Sequence, residues 1–234
     1  MAISVLQRNM AGNAAASASP TLAFGSNVTA GSTLIAVDFQ GTNPYTSMGR
    51  PTDTLNNFYI PLPMTASATS FGFRPFIAYN TPAGANTVTF STGSNDSAIA
   101  IFEVAGLASY SAFDQYFFQF QQSATALDSK TTPTTRYPNQ LLLGLTMNVN
   151  STALNPTIGT GYSNLQTAGV VFASSATEEQ IVSSKSTYNA TFTLGANSTN
   201  ILTAVYTFSD TPVFGTRLNN SGLRPHPFSP GLAR

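Results

Sequence analysis

Few residues in this chain could run acid–base or nucleophilic chemistry: nine Asp and Glu together, one histidine and no cysteine. The histidine, His226, stands between Pro225 and Pro227 close to the end. A general base must be held within reach of its nucleophile, and a proline-flanked terminal segment does not hold one, nor a histidine-based metal site. Paired carboxylates are the alternative, since two at a fixed separation can cleave a glycosidic bond. Glu178 and Glu179 are adjacent, and neighbours on a strand point to opposite faces, so they do not flank one bond. Asp38 and Glu103 each close an apolar stretch, TLIAVDF and AIAIFEV, where a carboxylate satisfies a sheet end or a loop. Asp53, in PTDTLNN, has the hard oxygen chemistry that calcium takes and equally the side chain that caps a turn. No GxxxxGK[ST] or GxGxxG pattern offers a phosphate cradle. The expectation is a non-enzymatic chain with no catalytic, cofactor-binding or metal-ligating residues.

Composition says what kind of body lacks such chemistry. Charged residues make up 8%, against roughly a quarter in ordinary soluble domains, and Ser, Thr, Asn, Gly and Ala stand in their place. Such a surface repels its own copies weakly and costs little to desolvate when they pack. The 42% hydrophobic and 11% aromatic content supplies core material, so the chain folds. Without cysteine, burial and β hydrogen bonding alone must hold it. Net charge is zero, which gives no general attraction to nucleic acid. No apolar run approaches the ~20 residues of a membrane helix. The start, MAISVLQRNMAGNAAASASP, carries no cationic segment followed by an apolar one, so it does not read as a secretory signal, and synthesis in a cytoplasm is expected. The N-x-S/T triplets at Asn27, Asn189 and Asn197 are then accidents of composition.

The elements that must position any site read as strands. Apolar runs rich in β-branched and aromatic residues, bounded by Gly, Pro, Asn and Ser, predict strands at 3–7, 33–39, 58–62, 71–79, 87–91, 98–104, 114–120, 141–149, 169–173, 180–184, 190–194 and 201–208. The Ala-rich stretch 11–18 reads as a loop. In 98–104, alternation puts Ile99, Ile101 and Glu103 on one face and Ala100, Phe102 and Val104 on the other, so this strand should be central and covered. In 114–120, Tyr116, Phe118 and Phe120 share one face and Gln115, Phe117 and Gln119 the other. Aromatics on both faces imply burial on one side and contact with a neighbour, or a second internal burial, on the other. The aromatics of FGFRPF at 71–76 are expected in the core or at a subunit interface. The halves also echo each other: TAGSTLIAVDF at 29–39 with YPNQLLLGLTM at 137–147, and 85–106 with 188–210. The expected fold is all-β, an antiparallel jelly-roll-like β-sandwich of two pseudo-repeated Greek-key halves, about 1–120 and 121–210, followed by an extended C-terminal arm over 211–234.

The runs TAGSTLIAVDF, PTDTLNNFYIPL, AGANTVTFSTGSNDSAIAIFEVAGL and SAFDQ together resemble a family of β-sandwich modules common in bacteriophage and bacterial genomes. Members read AG-x-x-LI-x-AV, T-D-S-x-G-N-x-Y, AG-x-NTVTVTFS and A-x-A-x-x-E-x-SG in turn. The likeness spans roughly residues 28–116, with a looser echo to 208; Asn56-Asn57 replaces the usual Gly-Asn, and Phe58-Tyr59 the single aromatic position. The ending RPHPFSPGLAR is similar to tails of small phage structural proteins. The resemblance implies a virion component made in the host cytoplasm, of the capsid decoration or cement type, with a tail-fibre or adhesion-type carbohydrate-binding module as the alternative.

The tail carries the remaining signal. Arg217, Arg224 and Arg234 all follow the last acidic residue, Asp210. Pro225, Pro227 and Pro230 keep the segment extended, so it loses less entropy on docking. Phe228 and Leu232 are its apolar anchors. We therefore expect an arm that binds a major capsid protein or another subunit of the virion, including another copy in a homo-oligomer such as a trimer, and neither nucleic acid nor membrane.

Overall fold

A computed structural model describes residues 1–12, 19–41, 48–67, 71–91, 97–149, 155–170 and 173–213. The described chain is all-β and antiparallel. The elements are β1 (Ser4–Gly12), β2 (Thr21–Ala23), β3 (Thr33–Gln40), β4 (Thr52–Asp53), β5 (Ile60–Pro61), β6 (Thr65–Ser67), β7 (Phe71–Ala78), β8 (Thr87–Thr89), β9 (Ser97–Ala105), β10 (Phe113–Asp128), β11 (Gln140–Asn148), β12 (Pro156–Thr157), β13 (Ser163–Val170), β14 (Ala173–Val182) and β15 (Thr191–Ser209).

The first sheet runs β1-β9-β3-β7-β5, with β6 also on β7. The second runs β10-β15-β11-β14-β13, with β12 also on β15. A small third sheet is β2-β8-β4. The first two meet face to face across one core. Ile35, Val37, Phe39, Phe73, Ala100, Phe102 and Val104 come from one side, and Leu141, Leu143, Leu145, Leu202, Ala204, Tyr206 and Phe208 from the other. The alternate residues of the first sheet, Leu34, Ala36, Phe76, Ile99 and Ile101, pack under the third sheet against Leu22, Val88 and Phe90. Strand β9 is thus central and covered on both faces, with the two sets of side chains divided as alternation predicts.

A third cluster covers the outer face of the second sheet. Past an irregularity between Ala124 and Ala126 the β10–β15 pair continues, with Leu127 opposite Phe192. Both side chains join Leu142, Ala176, Ile201 and Val205, so the far end of this ribbon folds back over its own sheet.

Several boundaries depart from the sequence reading. The expected strand 169–173 straddles a reversal: Val170 ends β13, Ala173 begins β14, and the two are paired. Its unbroken apolar run AGVVFA hid the turn. Expected strands 190–194 and 201–208 are the two ends of β15, between which pairing with β10 jumps from Thr193 to Ser198. Only Ile60–Pro61 pairs in 58–62, and Phe58 is exposed beneath the Arg50 guanidinium, 4.2 Å from its ring centre. The FGFRPF aromatics are core: Phe71, Phe73 and Phe76 are buried. Most of the Ala-rich stretch, 13–18, lies outside the described residues.

The turn after β4 accommodates a residue that ordinarily disfavours its conformation. Asn56 has φ 58°, in the left-handed region that asparagine tolerates and glycine occupies freely. Asn56→Gly should hold or raise stability by about 0.5–1 kcal/mol, and Asn56→Val should lower it by about 1–2 kcal/mol. Urea unfolding of the two variants checks this; equal midpoints would contradict it.

Candidate functional site

The carboxylates come first, because they are where chemistry would be. Asp38 and Glu103 do lie on the same face of the first sheet, but Asp38 pairs across from Ile99 and Glu103 from Leu34. Four residues of ladder separate them, about 13 Å, beyond the reach of a glycosidase pair. Glu103 is occupied: Thr29 N–H donates to its Oε1 and Gln7 Nε2 to its Oε2, both at 2.6 Å. It pins the loop before β3 to the sheet.

Asp38 is fully buried. It accepts one hydrogen bond, from Gln40 Nε2 at 2.8 Å, and its Oδ2 has no partner. Arg74 stands at the paired position on β7, yet no ion pair joins them and Arg74 Nε is itself without a hydrogen bond. Burial pushes the Asp38 carboxyl up to about 8, against the smaller opposing effect of Gln40, which favours its protonated form.

Glu178 and Glu179 point to opposite faces as expected. Glu178 accepts from Gly159 N–H at 2.8 Å, and burial pushes it up to about 7 despite that bond and a second from Thr191. Glu179 takes both Nη2 (2.7 Å) and Nε (3.1 Å) of Arg8 and the Asn164 amide (2.7 Å), tying β14 to β1. Asp53 accepts five hydrogen bonds: from the N–H of Leu55 and Asn57 on Oδ1, and from Asn57 Nδ2, Tyr59 Oη and Asn86 Nδ2 on Oδ2. Its oxygens hold the turn after β4. Among the described residues no cluster of three metal-capable side chains exists.

What remains is a surface. Strand β10 extends 16 residues, far beyond the expected 114–120, and among the described residues it pairs only with β15. Tyr116, Phe118 and Phe120 lie opposite Tyr206, Ala204 and Leu202, all core residues, so their face is continuous with the central core. Tyr116 rests on Tyr206, ring centres 5.5 Å apart, and Phe120 lies 6.2 Å from Phe71. Yet the row runs out of cover at the edge. Phe118 is 38% exposed, Phe120 43%, and Phe117 on the other face 43%. Tyr116 and Phe118 have nearly parallel planes, 9° apart.

The alternation of QYFFQF marked this strand as two-faced, as the sequence shows directly. The residues expected to bind a partner, Arg217, Arg224, Pro225, Pro227, Phe228, Pro230, Leu232 and Arg234, lie outside the described residues, as does His226. The last described residue is buried: Val213 N–H donates to Ser111 O at 2.7 Å and its carbonyl accepts from Ser111 Oγ. Residues 211–213 therefore lie on the body, and Val213, the last described residue, is held at Ser111, two residues before β10 begins. No family model, curated protein or solved structure matches this chain.

Proposed function

We propose that this chain is a non-enzymatic structural protein of a bacteriophage virion, a capsid decoration or cement protein. It bridges capsid subunits through its β-sandwich and its C-terminal arm, and is made in the host cytoplasm. The observation that carries the reading is the exposed aromatic edge of β10 on a body with little surface charge. Long apolar edges are normally blunted because they invite pairing with another chain. One left open suits a protein whose role is to be joined. Its partners are a major capsid protein, other virion subunits and further copies of itself, with a trimer as the proposed assembly. Contacts that are individually weak suffice when repeated over a shell.

Within this reading the body, about 1–210, consists of two pseudo-repeated, jelly-roll-like halves. The same pairing order, β1-β9-β3-β7 and β10-β15-β11-β14, supports this. So does the way a shift of 108 residues carries Ile35, Val37 and Phe39 onto Leu143, Leu145 and Met147, all in the shared core.

Deleting residues 215–234 is expected to leave the sandwich folded, by an unchanged circular dichroism spectrum, and to abolish attachment to purified shells that lack this protein. Full occupancy by the truncated chain would overturn the reading. One observation favours a second reading: the near-parallel rings of Tyr116 and Phe118 offer a platform for a sugar ring, as in a tail-fibre or adhesion-type carbohydrate-binding module. Binding to a glycan array that is lost in Phe118→Ala would select it.

A further inference from the structure

We propose that the open edge of β10 receives residues 223–229 of a second copy's C-terminal segment as an added antiparallel strand, laying Arg224, His226 and Phe228 along Tyr116, Phe118 and Phe120. This rests on the assembly reading above and names the partner of its aromatic edge.

The edge is built to be paired. From Gln115 to Leu127 it carries no charge and no proline, two of the devices that protect such a strand, and between Tyr116 and Ala124 its pairing runs without a bulge. Main-chain groups along an unpaired edge supply affinity to an added strand, and alternate side chains supply specificity.

The sequence of the occupant fits one side of that edge. In an extended strand, alternate residues present their N–H groups to the same edge. Pro225 and Pro227 therefore strip donors from one edge only, while Arg224, His226 and Phe228 keep theirs on the other. Such a strand pairs on one side and ends the sheet on the other, so the addition stops at one strand. The residues that keep donors also share one side-chain face. An arginine over a Tyr or Phe ring gains cation–π attraction, Phe228 adds apolar area, and the central part of β10 has no cation to repel Arg224.

The geometry points to a second copy. Val213, to which a copy's own segment is joined, is bonded to Ser111 just before β10, so a segment laid straight along the strand from there would run parallel to it. Arg224, eleven residues past Val213, then falls beyond Phe120. To return antiparallel it must first reach past Phe120, about 30 Å away, and then turn, which consumes nearly all of the ~33 Å that residues 214–223 can span. A neighbour's segment meets no such limit.

The absence of cysteine makes the test direct. Full-length Phe118→Cys and His226→Cys are prepared separately, mixed, oxidised mildly, and analysed on non-reducing gels with mass spectrometry. The mixture should give the mixed disulfide in roughly tenfold excess over a mixture of Ile181→Cys with His226→Cys, which reports random encounters. Ile181 is exposed on β14, away from β10. Amide exchange at 116–120 of the full chain should also quicken roughly tenfold in Phe228→Asp at the concentration where copies associate.

Equal yields in the two mixtures would overturn the proposal. So would Phe118→Cys linking chiefly to itself, which means β10 meets β10. So would closure within a Phe118→Cys/His226→Cys double variant while the mixture gives none, which means a copy's own segment docks. If cross-linking fails but loss of 215–234 still abolishes attachment to shells, only this inference falls. If cross-linking succeeds and attachment survives the deletion, the virion reading falls instead.

Discussion

Asp38→Asn is expected to be no more stable than the wild type near pH 5 and several kcal/mol more stable near pH 9, so that the two stability curves cross. Burial pushes the Asp38 carboxyl up to about 8 in the folded chain, against 3.8 for the free side chain. Its folded pKa is raised, so between these values the folded state holds a proton that the unfolded state has lost. Stability then falls with rising pH across that window, by about 1.4 kcal/mol per pH step and roughly 6 kcal/mol in total. Asparagine carries no charge at any pH and escapes the loss. It brings a different cost, because its amide sets two donors where the protonated carboxyl sets one, beside an Oδ2 position that has no partner; each further unmet buried donor costs about 1–3 kcal/mol. The first effect grows with pH and the second is constant, hence the crossing. Glu178, pushed up to about 7, adds a slope of the same sign to both proteins, so the difference between the curves isolates Asp38. Urea unfolding at intervals from about pH 5 to pH 9 measures it. Parallel curves would mean that the Asp38 carboxyl is ionised in the folded protein across the range.

The buried acid also shows where a sequence speaks and where it does not. The run TLIAVDF declares a fully covered strand, and β3 is buried from end to end. Nothing in the run says whether the aspartate finds a partner, because that depends on which side chains the neighbouring strands bring alongside. Alternation gave the faces of β9 correctly, since the two sheets pack on it from either side and period-2 patterning is all that such packing requires. The same rule stopped short on β10. The expected strand ended at residue 120, yet Gln121, Gln122, Ser123 and Thr125 continue it because β15 runs alongside and supplies hydrogen-bond partners whatever the side chains are. The reversal between β13 and β14 was hidden for the opposite reason. The apolar run AGVVFA passes through residues 171–172 without a Gly, Pro or Asn between Val170 and Ala173, so composition marks no break where β13 gives way to β14.

The open edge was legible in part. QYFFQF announced aromatics on two faces, and only the strand order shows that this strand stands at the margin of its sheet. The proline-rich ending was the strongest sequence signal for a partner. Under the pairing proposed above, the alternate positions of Pro225 and Pro227 leave one edge of the segment able to donate.

Asp53→Ala should cost about 3–5 kcal/mol, far more than an ordinary half-exposed turn residue. The motif PTDTLNNFY invites a calcium reading, but five donors converge on the two oxygens of Asp53. Two of them belong to side chains sealed from solvent, Tyr59 and Asn86. Removing the carboxylate strands the Tyr59 hydroxyl and the Asn86 amide where water cannot replace it, and frees the turn that links β4 to β5. Tyr59→Phe deletes one of the five bonds and leaves the others intact, so it should cost about 1 kcal/mol. Asp53→Asn should fall between, because its amide turns one acceptor into a donor facing other donors. The double variant Asp53→Ala/Tyr59→Phe should cost less than the sum of the singles, since the tyrosine has already lost its partner when the carboxylate is gone. Calcium addition should shift none of these midpoints. If Asp53→Ala unfolds within about 1 kcal/mol of Tyr59→Phe, the carboxylate is not the hub of the turn; if calcium raises the midpoint of the wild type and not of Asp53→Ala, its oxygens serve a cation after all.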